Sequence, residues 1–532
     1  MPTEPGDAVM LPPVRLPRQV GTLRSALWTH RWLWPGVLIF AVARTPAWLE
    51  PHWYTDEAGY ATTAKMLTRG ATLYSDIWTN KPPLHLWTLA LPVWLAGGSE
   101  AALHAVTFLT GLLALAAVAY AAHATLTAGR AAFAVAVAAV LLGTPILDGE
   151  LALPESLLIA PTAWAGAVII TRLHRGTRGS GRELWPLGAG ALTACALAVQ
   201  QTAVADAAAF GLILLVAPTA TRKQLGVYAA TVVGCTACWL LAAAAWAGPG
   251  TVAFALAGFY VAYSQAVLPG SASGLLQHAV FLLSSVLLLI AAAVLLRHSR
   301  PSSWAYAVWA GATLLVAAAA QQPYAHFLLP AAVPASLALA ALPVPGLQWR
   351  RGRQVAGAWF CAAGLLVTCL LARTAGLDWM PVLASQGQNS YRTLADYYGG
   401  PLQVVTGQES LATWQATFDD RVPADEDTAA WIRTHGLSGR TAVVWSSDAW
   451  PYLEADLPLL LRTAPIYNDE VLLGSGGPLA AAVAALAPDL VIASDDAVQT
   501  WPEITALLDN DYHQAVRFGP DAVWLRDGLS GA

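Results

Sequence analysis

Residues 54 to 87 read YTDEAGYATTAKMLTRGATLYSDIWTNKPPLHLW and hold Asp56, Glu57, Lys65, Arg69, Asp76 and Lys81, in a chain of 532 residues of which only 11% are charged. A carboxylate that can take a proton and a lysine that can neutralise an anionic leaving group are the side chains that transfer from a phosphate-activated donor requires. Asp56 and Glu57 supply the first, and Lys81, stiffened by Pro82 and Pro83 behind it, supplies the second. Another acid, Glu155, stands at the start of an apolar run in PESLL, with Asp148 and Glu150 as rivals in the same short loop. The bland reading is a solvated loop with ordinary surface charges.

The elements that must position these residues follow from composition. Hydrophobic residues make up 56% of the chain, 23 residues are Trp and the mean hydropathy is +0.52, so most of the chain faces lipid. In such a polytopic membrane protein an ionisable cluster near the bilayer reads as a site, because an unpaired, unhydrated charge there is costly. Apolar runs near 31–49, 101–123, 131–147, 156–172, 186–203, 204–219, 226–247, 277–296, 304–321, 326–345 and 354–374 predict about eleven transmembrane helices. The shorter run 84–95 contains Pro92 with His85, Trp87 and Trp94, and suits a helix lying in the interface.

Charge sets the orientation. If 84–95 does not span, Arg130, Arg172 to Arg182, Arg222 with Lys223, Arg297 with Arg300, and Arg350 to Arg353 all fall on the cytoplasmic side with the tail 1–30. The loop 50–100, the loop 148–155 and everything from about 375 then lie outside. AVA at 41–43 imitates a signal cleavage site, but the run around it reads as a first anchor. A transmembrane module over 31–374 is followed by a more polar segment, 375–532. There TAVVW (441–445), DLVIA (489–493) and AVWLR (522–526) alternate with helical patterns at 424–435, 477–487 and 500–509. This predicts a small extracytoplasmic α/β domain, read as a cap or docking surface.

Other chemistries recede. The five cysteines, Cys195, Cys235, Cys238, Cys361 and Cys369, sit in apolar runs, so neither a disulfide framework nor a metal site is expected, and Cys235 with Cys238 fits one helix face. A net charge of −5 with scattered basic residues argues against nucleic acid. At the outer membrane surface no nucleotide sugar is expected, and the natural activated donor is lipid-linked.

The stretch DEAGYATTAKMLTRGATLYSDIWTNKPPLHLW resembles the first outer loop of the GT-C glycosyltransferases related to protein O-mannosyltransferases and the lipid A aminoarabinose transferase. The shared elements are the acidic pair and aromatic at Asp56, Glu57 and Tyr60, the Gly-x-x-x-Tyr turn at Gly70 and Tyr74, and Lys81-Pro82-Pro83. PESLL at 154–158 is similar to the family's second acidic site, and PYAHFLLPAAVP at 323–334 to an aromatic-His helix start.

The resemblance implies a sugar moved from a polyprenyl-phosphate donor to a hydroxyl acceptor at the outer face of the plasma membrane, with inversion. It implies Asp56 as general base or essential acceptor-side carboxylate, with Glu57 beside it, and Glu155 completing the acidic cleft. Lys81 would bind the donor phosphate, with Tyr60, Tyr324 and His326 in contact with the donor. Gln200, in VQQTAV, stands where many relatives carry a lysine, and its amide would hydrogen-bond the phosphate. Some relatives use a divalent metal, so one is possible here, but two carboxylates and a lysine do not demand it. Tyr260 and Tyr263 of FYVAYSQ are assigned to the interfacial aromatic belt. The alternative is a transporter or flippase for a lipid-linked or anionic solute, for which an internal repeat would be expected. A receptor or scaffold, the third class, leaves the Lys-Pro-Pro loop unexplained.

Overall fold

The computed structural model describes residues 34–176, 184–260, 301–319, 324–342, 394–419, 421–474 and 477–529. Its membrane part is a helical array: α1 (Trp34–Ala43), α2 (Thr55–Thr68), α3 (Pro83–Ala96), α4 (Glu100–Thr125), α5 (Ala128–Gly143), α6 (Pro154–Arg175), α7 (Trp185–Val199), α8 (Val204–Val216), α9 (Arg222–Ala247), α10 (Pro301–Ala319) and α11 (Leu329–Ala341). Among the described residues α4, α6 and α9 are long and apolar enough to cross a membrane by themselves, while α5, α7, α8 and α11 are shorter apolar helices. The runs expected at 277–296 and 354–374, and the tail 1–30, lie outside the described residues. The run expected as one span at 31–49 ends as a helix at Ala43 and continues as a 3-10 turn, Pro46–Leu49, because Pro46 has no N–H to extend the helix ladder.

Local sequence explains the pieces nearest the site. α2 carries Asp56 and Glu57 in its first turn, where the helix dipole favours acids. The chain then reverses through Gly70 (φ +93°) and Tyr74 (φ +69°), the left-handed positions of the Gly-x-x-x-Tyr segment. Pro82 caps α3 and Pro83 occupies its first position, where a missing N–H costs nothing. α3 exposes Trp87, Leu91, Trp94 and Leu95 on one face and buries Leu86, Leu89, Ala90 and Val93 on the other, as an interfacial helix does.

The C-terminal part builds a four-stranded sheet from β1 (Ala442–Trp445), β2 (Leu490–Ser494), β3 (Tyr512–Phe518) and β4 (Asp521–Arg526), in the order β1-β2-β4-β3. β1 and β2 are parallel, and β4 runs antiparallel to both β2 and β3. Three of these strands match the alternating runs of the sequence. β3 was not expected: its residues are mostly exposed, so it carries no apolar signal. α12 (Val422–Thr434), α13 (Trp450–Glu454) and α14 (Ile466–Leu473) accompany the sheet.

This part is fastened to α2. Ala58, Ala61, Leu89 and Leu103 share one apolar core with Ala449, Trp450, Leu453 and Leu490. Lys65 Nζ donates to the carbonyls of Tyr452 (3.2 Å) and Leu453 (3.1 Å) and pairs with Asp456 at 2.8 Å, while Arg69 also reaches Asp456. A side chain at Gly59 would bring its Cβ to 3.0 Å from Pro465, so close packing requires glycine there. Lys65 and Arg69, two of the six charges in the first loop, therefore serve docking rather than chemistry.

Candidate active site

α2, the loop before α3, the α7–α8 junction, α10 and α14 enclose a cavity of about 800 Å³. Asp56, Tyr60, Lys81, Glu155, Gln200 and Tyr324 all line it. The six come from segments that span 269 positions of sequence, from 56 to 324.

The backbone that presents Lys81 is held on three sides. Tyr74, fully buried, donates its hydroxyl to the Lys81 carbonyl at 2.6 Å. Gln201 Nε2 donates to the Asn80 carbonyl at 2.8 Å, and the Tyr260 hydroxyl does so at 3.4 Å. The ammonium itself lies 5.8 Å from the Tyr60 ring, within cation–π range, and hydrogen-bonds Tyr260. Burial pulls this ammonium toward its neutral form, but Tyr260, Glu155 and Asp56 outweigh burial, and its pKa stands above the ordinary lysine value. Neighbouring His85 makes the opposite choice: burial brings it down to about 3, so it stays neutral and leaves Lys81 as the cation at this wall.

Two acids face the lysine. Asp56 is half-buried, and its Oδ1 accepts a hydrogen bond from the Tyr467 hydroxyl at 3.1 Å. Glu155 is buried in the first turn of α6, where its Oε1 accepts from Gln200 Nε2 at 2.9 Å. Gln200 reaches it because the chain is extended there (φ −152°, ψ 135°), breaking α7 from α8. Of the rivals to Glu155, Glu150 is turned to Arg44 (3.6 Å) and Asp148 to His326 (3.5 Å), and neither lines the cavity.

Two expected residues fall elsewhere. Glu57, one position after Asp56, projects to the opposite side of α2, is fully buried, and accepts the Ala152 N–H at 2.6 Å. His326 is buried against Asp148 and stacked on Tyr324 at 5.2 Å, so it backs the cavity wall without lining it. The cavity also holds residues the sequence reading left out. Tyr260 had been assigned to the aromatic belt. Tyr467 comes from the C-terminal part, with Ser447, Asn468 and Glu470. Asp206 is buried in α8 with its Oδ1 accepting the Trp309 indole N–H at 2.6 Å, and the sequence signal for it was an acid inside an otherwise apolar run.

Among the described residues, the trio of acid and imidazole ligands close enough to share an ion is Glu50, Glu100 and His104, outside the cavity. The cavity lining sets Asp56 and Glu155 in one space with Lys81, and Asp206 and Glu470 also border it.

No protein-family model matches the sequence, and no curated protein matches it. The fold does have relatives among solved structures. ArnT from Cupriavidus metallidurans, in a crystal structure bound to undecaprenyl phosphate, superposes with a TM-score of 0.59 at 15% identity, covering 95% of this chain and 99% of that one. The chain has the GT-C fold. A second GT-C structure, the Archaeoglobus fulgidus oligosaccharyltransferase in complex with Zn and sulfate, matches with a TM-score of 0.51 at 13% identity, covering 93% of this chain and 73% of that one. At these identities the likeness is one of fold. It extends over 95% of the chain, well past the first-loop motif that suggested it.

Proposed function

We propose that this GT-C protein transfers a sugar from a polyprenyl-phosphate donor to a hydroxyl acceptor at the extracytoplasmic face of the plasma membrane. The observation that carries this is the single cavity that brings Asp56, Glu155 and Lys81 together. Supporting it, the fold is shared with a protein whose structure holds undecaprenyl phosphate.

In this reading the donor phosphate lies at Lys81 and Tyr260, with its sugar toward Asp56 and Glu155. Asp56, oriented by Tyr467, takes the proton of the acceptor hydroxyl as that oxygen bonds to C1. The C1–O bond to phosphate breaks with inversion, and polyprenyl phosphate leaves with its new charge against the Lys81 ammonium. Glu155, fixed by Gln200, helps to hold the sugar and acceptor. The contact of Tyr467 with Asp56 supports a C-terminal domain on the acceptor side of the cavity, and the domain is proposed to lie outside the membrane.

Turnover of a radiolabelled polyprenyl-phosphate sugar to polyprenyl phosphate by the purified protein, with cell-envelope extract as acceptor source, tests the reaction. Absence of turnover across the common polyprenyl-linked sugars would overturn it. The orientation is tested in a cysteine-free background: Lys223→Cys should be labelled only from the cytoplasm and Asp509→Cys only from outside. Both positions are exposed.

A further inference from the structure

Behind the cavity, on the far side of α2, lies a sealed group of ionisable residues that the reaction does not use. It comprises Glu50, Glu57, Glu100 and His104, each buried. The ligand atoms of Glu50, Glu100 and His104 all lie within 4.8 Å of one another, and Glu57 Oε2 is 3.9 Å from His104 Nε2.

The outer hydrogen bonds of this group are arranged as those of metal ligands are. His104 Nδ1 is 2.6 Å from the Ala47 carbonyl, which can only accept, so Nδ1 carries the proton and Nε2 is left to face the acids. Glu50 is held by the Trp53 indole N–H (3.1 Å) and the Tyr397 hydroxyl. Glu57 Oε1 takes the Ala152 N–H, and the Glu57 side chain also hydrogen-bonds Glu100. Inward, beyond that contact, neither Glu100 nor His104 Nε2 has a donor or acceptor from the surrounding protein. His104 Nε2 is nevertheless 3.2 Å from Glu100 Oε1. Metal–N and metal–O bonds of about 2.0–2.2 Å place neighbouring ligands of one tetrahedral ion about 3.3 Å apart. The nearby cations make their short contacts elsewhere, and His52 reaches the cluster only as a long pair with Glu100. Arg44 binds Glu150 and the Gly149 carbonyl, and His52 is bonded to Glu454 (2.8 Å) and the Gly98 carbonyl (3.1 Å), with Glu100 at 3.8 Å.

We propose that Glu50, Glu100 and His104, with Glu57 beside them, bind one divalent transition-metal ion of the Zn²⁺ or Mn²⁺ class, which ties the segment leading into the helix that carries Asp56 to the start of α4. One imidazole with several carboxylates suits this class better than Ca²⁺ or Mg²⁺, which prefer all-oxygen sites. The ion counters the excess of buried carboxylates and acts on structure, since α2 separates it from the cavity.

The test reads metal, so it stands or falls separately from the transferase activity. Purified full-length protein, incubated with Zn²⁺ or Mn²⁺ and desalted, should retain about one ion per chain by elemental analysis. Glu100→Gln and His104→Gln should lose it, while Asp56→Asn and Glu155→Gln keep it. Adding Zn²⁺ to chelator-treated wild type should raise its melting temperature. X-ray absorption of the Zn²⁺-loaded wild type should show a nitrogen–oxygen shell with the scattering of a single imidazole, which holds the test open if the variants fail to fold. Wild type without a retained ion, an ion lost on Asp56→Asn or kept by His104→Gln, or a spectrum with no imidazole or several would each overturn the proposal.

Discussion

Asp56 and Glu57 are neighbours on one helix and chemically near-identical, yet they occupy opposite environments. Asp56 is half-buried in an 800 Å³ cavity beside a lysine, and Glu57 is fully buried in a sealed cluster. Successive residues of a helix point about 100° apart, so the N-terminus of α2 divides the pair between the two faces. An accessible acid with a compensating cation can exchange protons with substrate; a sealed acid can only hold structure together. Substitutions on the two faces should therefore fail in different assays.

The largest separation is expected at this pair. Asp56→Asn removes a proton acceptor while keeping shape, and should lower transfer about 10²–10⁴-fold with the melting temperature unchanged. Glu57→Gln should lower the melting temperature, with the folded fraction retaining most of its turnover. Measuring thermal stability and rate on both variants tests the comparison, and it breaks if Glu57→Gln is as inactive as Asp56→Asn while equally stable.

Within the cavity, the comparison sharpens between cation and second acid. Lys81→Ala should cost about 10²–10³-fold in transfer and also weaken donor binding, because its contact exists before the leaving phosphate gains charge. Lys81→Arg should rescue partly, since a planar fork replaces a compact ammonium. Glu155→Gln should slow transfer with donor affinity nearly intact. Equal donor affinity in wild type and Lys81→Ala would remove the phosphate assignment.

A smaller effect is expected at Tyr467. Its hydroxyl orients Asp56, and hydrogen bonds to charged groups are worth about 1.5–3 kcal/mol, so Tyr467→Phe should reduce kcat/KM roughly 10- to 100-fold. A position in the C-terminal part without a cavity contact, such as Asp509→Asn, should leave kcat/KM alone. Unchanged kinetics in Tyr467→Phe would leave the domain as a passive cap.

What the sequence made legible follows from the range of each signal. A helical membrane architecture was readable from apolar runs and the GT-C resemblance from local motifs, because both kinds of signal are continuous in the chain. Asp56, Tyr60, Lys81, Glu155, Gln200 and Tyr324 could be named, since each sits in a short motif at a helix start or break. Which face of α2 each acid takes, and that His326 turns to Asp148, depend on packing partners far away in sequence. Tyr467 was invisible for the same reason: it reaches Asp56 across 411 positions, and nothing in IYNDEV distinguishes it from a surface tyrosine. The docking roles of Lys65 and Arg69 needed Asp456, likewise remote.

The comparison of open and sealed acids extends to the C-terminal sheet, where the expected effect is smallest. Asp425, Asp448 and Asp521 are buried together, and the guanidinium nearby, Arg421, forms a two-point bond with Asp419 (3.0 and 2.9 Å). Burial, then the Asp448 carboxylate, pushes Asp521 up to about 7, and the same two causes hold Asp425 well above the usual carboxylate range. The folded state thus keeps a proton that the unfolded chain releases near pH 4. The stability this contributes is fully present below about pH 4 and is lost as pH rises through about 7, so the domain should melt lower at alkaline than at mildly acidic pH, by on the order of 5 °C. Asp521→Asn keeps the shape without the ionisation and should flatten that slope. Melting curves of wild type and variant across this pH range decide it. A wild-type melting temperature that rises with pH would mean that this cluster is ionised in the folded state.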